Sequence, residues 1–234
     1  MTHMKIAGLQ KISMVDFPGH VCATIFTQGC NFRCGFCHNR DLITTDADFE
    51  FSQEEMFGYF NSRKKMLEAV CITGGEPTLW PDLPELIRKI KDAGLKVKLD
   101  TNGSRPQMVR DLLGEGLLDY IAMDVKTSFG KYPLLNIPDN TEEALAETIR
   151  AMISSDIEYE FRTTCVPGIV AVDDIYSIGK AIKGARRHCL QQFRPSGNVV
   201  EEKYSDLKPY TKEKLKEMRS ISERFVEEAV IRGI

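Results

Sequence analysis

No stretch of the chain approaches the roughly 20 consecutive apolar residues that a membrane-spanning helix needs, and Met1 to Gln10 holds no apolar signal core. A cytoplasmic protein with no membrane attachment is expected. Blocks of like charge are missing too: 31 basic and 34 acidic residues spread along the chain leave a net charge of -3. No basic arm points to nucleic acid as a main partner. Internal repeats and low-complexity tracts are absent, which excludes solenoids and propellers. There is no even set of cysteines for a disulfide framework. The chain has seven cysteines, three of them within eight residues, which suits metal binding in a reducing compartment.

What is present is an ordinary core. The 234 residues are 42% hydrophobic, enough for a single domain spanning 1–234. Six apolar, β-branched runs read as strands: Val21–Thr27, Ala69–Thr73, Leu95–Leu99, Tyr120–Asp124, Ile157–Thr163 and Cys189–Phe193. Between them lie helix signals. Ser52 with Glu55 forms a capping box, Pro106 suits a helix start, and Leu83, Leu86, Ile87 and Ile90 repeat at helical spacing before Gly94. Helices are expected over Asp82–Ala93, Thr141–Ser154 and Asp173–Lys183, with an amphipathic C-terminal helix over about 211–232. Regular alternation of strand and helix predicts an α/β fold with a parallel sheet, and six units are too few for a closed eight-stranded barrel. The expected architecture is a partial (β/α)6 barrel with its core over about 20–197, a flat doubly wound sheet being the alternative.

The first strand runs into Gln28-Gly29-Cys30-Asn31-Phe32-Arg33-Cys34-Gly35-Phe36-Cys37-His38-Asn39, a Cys-x3-Cys-x2-Cys loop. Three thiolates so close can cap three corners of a cubane cluster and leave one iron open to an outside ligand. The same spacing admits a zinc knuckle that recruits His38 or a distant cysteine as fourth ligand. Cys22, Cys71, Cys165 and Cys189 stand singly in apolar runs, where cysteine is usually a small buried hydrophobe.

With Phe36 as the aromatic, the loop resembles the hallmark of the radical S-adenosylmethionine superfamily. Within it the sequence is similar to the glycyl-radical-enzyme activases, above all the branch that serves anaerobic ribonucleoside-triphosphate reductase. The residues that carry the resemblance are Asp16-Phe17-Pro18-Gly19, Thr27-Gln28-Gly29-Cys30, Cys37-His38-Asn39, Thr73-Gly74-Gly75-Glu76-Pro77, Asp100-Thr101-Asn102-Gly103 and Asp124-Val125-Lys126. On the family's ordering of motifs the resemblance runs from about Lys5 to about Gly197. Phe17 departs from the pyruvate formate-lyase activases, which usually have glycine there.

The resemblance implies a [4Fe-4S] cluster on Cys30, Cys34 and Cys37, with S-adenosylmethionine chelated to the open iron. One-electron reduction of the sulfonium then gives a 5′-deoxyadenosyl radical. A reduced flavodoxin or ferredoxin is the implied electron donor, and a glycine of a glycyl radical enzyme the hydrogen source. Phe36, Gly74, Gly75, Glu76, Pro77, Thr101, Asn102, Asp124, Lys126 and Arg162 are the implied cofactor contacts, Lys126 toward the methionine carboxylate. A monovalent cation is implied between Asp100 and Asp124. Asp16 and His38 are candidates for touching the substrate peptide. No general base is needed for hydrogen-atom abstraction. Each motif also has a plain reading: Gly-Gly-Glu-Pro is an ordinary turn, Asp16 before Pro18 and Gly19 a turn initiator, and the arginines surface ion pairs. Other readings of the whole are an activase of pyruvate formate-lyase, a small-molecule radical enzyme of the deazaguanine type, and a non-catalytic iron-sulfur or zinc module.

Overall fold

In the computed structural model, residues 3–44, 51–138 and 141–234 are described. Eight strands lie in chain order across one sheet. They are β1 (Ile6–Ser13), β2 (Cys22–Thr27), β3 (Ala69–Gly74), β4 (Lys96–Thr101), β5 (Tyr120–Asp124), β6 (Glu158–Cys165), β7 (Arg187–Gln192) and β8 (Glu228–Arg232). The helices between them are α1 (Gln53–Ser62), α2 (Leu83–Asp92), α3 (Pro106–Gly114), α4 (Thr141–Ile153), α5 (Val172–Ala181) and α6 (Lys212–Ser222). β1 runs antiparallel to β2, whereas the β2/β3, β3/β4, β6/β7 and β7/β8 pairs are parallel. The β/α series expected over β2 to β7 is present. Among the described residues no helix is long and apolar enough to cross a membrane.

Two compact units can be described separately. The first comprises 1–31, 41–101 and 107–121; the second comprises 32–40, 102–106 and 122–234. In the first, the local signals act as their chemistry predicts. Ser52 accepts from Glu55 N–H at 3.1 Å while Glu55 reaches back to Ser52 N–H, closing the capping box of α1. α2 buries Leu83, Leu86, Ile87 and Ile90, and Gly94 just past its end takes φ 84°. Pro106 opens α3.

In the second unit the C-terminal helix expected over 211–232 is corrected. α6 stops at Ser222, and residues 228–232 form β8 beside β7. The cause is tertiary: Phe225 C=O accepts from Gly184 N–H, and Glu227 and Glu228 donate to Ala185 and Arg186, so the turn before β7 pulls the chain out of the helix. Arg232 then closes a two-pronged pair with buried Glu160, both contacts at 2.7 Å. β7 starts at Arg187 rather than Cys189 because His188, though polar, is fully buried.

His188 lies 3.0 Å from Thr163 Oγ1 and 2.7 Å from Ser222 Oγ. Burial pushes its pKa down to about 3. The unfolded chain takes up that proton below about 6.5 and the folded chain does not until about 3, so stability falls as pH drops below 6.5. Between pH 7.5 and 5.5 this one group should cost about 1.4 kcal/mol. Urea unfolding at the two pH values, compared with His188→Gln, measures it. The variant should lack that share of the pH dependence.

Candidate functional site

In the first unit, β2 delivers the cysteine loop and β3 seats it. Gly75 N–H donates to Thr27 C=O at 2.8 Å and Glu76 N–H to Gly29 C=O at 2.7 Å; Gly29 and Cys30 donate in turn to Leu42 and Ile43. A Cβ on Gly74 would overlap Thr27 N, and one on Gly75 would overlap Gly29 O. The close approach that these glycines permit is therefore to the end of β2 for Gly74 and to the backbone of the cysteine loop for Gly75. Glu76 is 1% exposed, and its Oε1 accepts from Thr78 N–H at 3.1 Å, from the Thr78 hydroxyl and from Thr101 Oγ1 at 2.8 Å. It caps the 3-10 turn at Pro77–Leu79 and ties the end of β3 to the end of β4.

A polar row crosses the same unit, because register places Thr24 beside Cys71 and Cys71 beside Lys98. Asp16 Oδ2 accepts from Thr24 Oγ1 at 2.7 Å. Lys98 is buried, pairs with Asp100 and lies 3.6 Å from Cys71 Sγ. Burial, then the Asp16 charge, pushes the Cys22 thiol up, so it stays protonated. Phe17 is buried, with its ring 5.8 Å from that of Tyr120.

In the second unit the rest of the loop, Phe32 to His38, is walled by aromatic rings. Phe32 sits edge-on to buried Tyr132 at 6.3 Å, Phe36 edge-on to Tyr204 at 6.0 Å, and His38 against Phe193 at 6.0 Å. Glu201 N–H donates to Gly35 C=O at 2.8 Å, and a Cβ on Gly35 would strike Glu201 and Tyr204. Asn198 Nδ2 reaches His38 C=O at 3.3 Å. Asn102 Oδ1 accepts from Ser104 N–H at 2.9 Å, turning the chain after β4.

The charged centre of this unit is Asp124. Its Oδ2 takes Lys126 Nζ at 2.8 Å and its Oδ1 takes Arg162 Nε at 2.8 Å. Burial alone would raise its pKa, but the Arg162 and Lys126 charges outweigh it and hold the carboxyl well below the usual range. Burial would likewise lower Lys126, yet Asp124 and the Cys34 and Cys37 sulfurs hold its ammonium charged. Lys126 thus lies within electrostatic reach of two motif thiols. Asp100 and Asp124 each have cationic side chains of their own, so charge balance alone does not call for the monovalent cation expected between them.

The donor set fits an iron-sulfur cluster. Cys34 is buried and Cys30 and Cys37 are half-buried; in the first unit backbone hydrogen bonds pin Gly29 and Cys30, and in the second the segment with Cys34 and Cys37 is backed by aromatic rings. The resemblance left Tyr132, Asn198, Glu201 and Tyr204 unmarked. None belongs to a local motif, and only the fold brings them to the loop.

The Radical SAM superfamily model matches residues 24–175. The chain is 32% identical to the "Putative glycyl-radical enzyme activating enzyme" of Methanocaldococcus jannaschii, covering 98% of this chain and 96% of that one. It is 26% identical to the pyruvate formate-lyase 1-activating enzyme of Escherichia coli K12, covering 94% and 96%. Among solved structures, SuiB of Streptococcus suis bound to S-adenosylmethionine superposes with a TM-score of 0.63 at 14% identity, over 87% of this chain and 48% of that one. That likeness is one of fold, and the chain spans about half of SuiB. The chain belongs to the radical SAM superfamily, in its group of glycyl-radical-enzyme activating enzymes.

Proposed function

We propose that Cys30, Cys34 and Cys37 hold a [4Fe-4S] cluster and that the protein uses it with S-adenosylmethionine to draw a hydrogen atom from a glycine of anaerobic ribonucleoside-triphosphate reductase. The observation that carries the reading is the seating of the cysteine loop. Gly74 to Glu76 zip onto its entry by backbone contact, and Lys126 is held charged by Asp124 within electrostatic reach of Cys34 and Cys37. When bound, the cluster and S-adenosylmethionine supply the electron and the 5′-deoxyadenosyl radical.

The chain's residues bind and orient. Lys126, kept cationic by Asp124, offers a fixed positive charge to the methionine carboxylate. Arg162 shares Asp124 with Lys126 and stiffens that pair, which limits the freedom of the bound cofactor. Phe32, Phe36, Tyr132 and Tyr204 exclude water from one side of the loop. Glu76 fixes the turn after β3, and Thr101 reports to it from β4. Asp16, held by Thr24, is offered to the incoming glycine loop, with His38 as a second peptide contact. A reduced flavodoxin or ferredoxin serves as electron donor.

Phe17 supports the reductase as partner: its buried ring packs where the pyruvate formate-lyase activases usually have glycine. The similarity over 94% of the chain to the E. coli activating enzyme favours pyruvate formate-lyase as second reading. Electron paramagnetic resonance decides between them. The anaerobically reconstituted, reduced protein with S-adenosylmethionine should raise a glycyl doublet on the reductase and none on pyruvate formate-lyase. The reverse pattern selects the second reading. Failure of the protein to release 5′-deoxyadenosine with a competent reductant overturns both.

A further inference from the structure

We propose that Thr163, backed by His188 and Ser222, is a positioning residue for Lys126, and that with Tyr132 it clamps the one peptide unit that aims the Lys126 side chain. The proposal rests on the reading of Lys126 as a contact of the cofactor carboxylate.

β5 ends at Asp124, yet Val125 beyond it is fully buried, so its backbone groups need partners other than bulk water. Val125 N–H donates to Arg162 C=O at 2.8 Å. The next peptide unit, from Val125 C=O to Lys126 N–H, takes a side chain at each end. Thr163 Oγ1 donates to Val125 C=O at 2.8 Å, and Lys126 N–H donates to Tyr132 Oη at 2.9 Å. A peptide unit is planar, so holding both ends fixes its rotation about the chain and the place of the Lys126 Cα, from which the side chain sets out. The ammonium then meets Asp124 Oδ2 at 2.8 Å.

Proton counting orders the groups behind Thr163. Its single hydroxyl proton goes to Val125 C=O, so the 3.0 Å contact with His188 requires the imidazole to donate from Nε2. Nδ1 is then an acceptor and takes the Ser222 hydroxyl proton at 2.7 Å. One directed chain thus runs from α6 through β7 and β6 to the carbonyl between Asp124 and Lys126. Thr163, His188 and Ser222 are all fully buried, so a hydroxyl lost at Thr163 cannot be replaced by bulk water.

The test measures S-adenosylmethionine affinity by equilibrium dialysis on anaerobically reconstituted protein of confirmed iron content. Thr163→Val should raise Kd about 10-fold, and Thr163→Ser, which keeps the hydroxyl, should stay within about 2-fold of wild type. Lys126→Ala should weaken binding by itself, and adding Thr163→Val to it should change Kd no further, because the two act through one contact. A Thr163→Val protein that loses thermal stability but binds as wild type overturns the proposal, as does a Thr163→Val effect that persists in full beside Lys126→Ala. Wild-type affinity in Lys126→Ala with full iron content removes the Lys126 assignment, and the clamp's purpose with it. Should Thr163→Val not fold, Tyr132→Phe releases the other end of the same peptide and carries the same comparison.

Discussion

Cys34→Ala is expected to reduce release of 5′-deoxyadenosine to the uncatalysed background and to lower iron per chain with it. In the proposed cluster each thiolate of the motif would cap one iron, so two cysteines would leave two irons open and the cluster neither firmly held nor confined to one exchangeable position. Cys34 is the most enclosed of the three, 6% exposed, and its neighbours in the chain, Phe32 and Phe36, pack on Tyr132 and Tyr204. Alanine fits there, and the backbone contacts of Gly35 and Cys37 do not depend on the sulfur, so the fold should lose little. Cys165→Ala is the control: it also empties a buried thiol, outside the motif, and should keep full iron at an ordinary cavity cost of about 1 kcal/mol. Iron analysis, product release and urea midpoints for both variants separate loss of a ligand from loss of packing. Wild-type iron and product release in Cys34→Ala would remove the cysteine assignment.

What could be read in the sequence follows how local each signal is. β5 was legible to the residue, because Tyr120–Asp124 is an apolar run closed by a charge. The capping box of α1 and Gly94 after α2 were legible for the same reason, being settled within a few residues. β1 escaped notice because only its two end residues, Ile6 and Ser13, are buried, and Gly8 and Lys11 blur its alternation. β8 was hidden inside an amphipathic pattern that continues α6, and only its pairing with β7 decides for a strand. The cysteine motif is local chemistry and needed no fold. By contrast Gly35 against Glu201 and Tyr204, Phe32 against Tyr132, and Thr163 with His188 against the Val125 carbonyl join residues 25 or more positions apart. No spacing rule brings such pairs together.

The charged motifs show the same division. Asp124 and Lys126, two apart, were legible as neighbours, and their 2.8 Å pair is what that spacing allows. That Arg162 shares the same carboxylate depends on strand order and register, whereas Lys98 meets Asp100 by the same two-residue spacing within β4. Asp100 and Asp124, between which the resemblance implies a monovalent cation, each face cationic side chains of their own unit, Lys98 for the one and Lys126 with Arg162 for the other.

Gly75→Ala should be a severely damaging methyl to add to the loop's support, and one whose damage is steric alone. Gly75 is not in the left-handed region, so alanine can adopt its backbone conformation; Gly74, at φ 116°, would add strain of its own. What alanine lacks is space, because the new methyl overlaps the carbonyl oxygen of Gly29, a backbone atom that cannot swing aside as a side chain can. To admit it, the end of β3 and the start of the cysteine loop must separate. That breaks the bonds from Gly75 N–H to Thr27 and from Glu76 N–H to Gly29. A cost of about 3 kcal/mol is expected, at the upper end of ordinary overpacking, together with loss of most cluster iron because Cys30 follows directly on Gly29. Gly58→Ala supplies the contrast: it lies inside α1 with no atom near the added methyl, and should raise stability by about 0.5 to 1 kcal/mol with iron unchanged. Urea midpoints and iron per chain measure both. A Gly75→Ala protein with the wild-type midpoint and full iron would show that the turn after β3 does not seat the cluster loop.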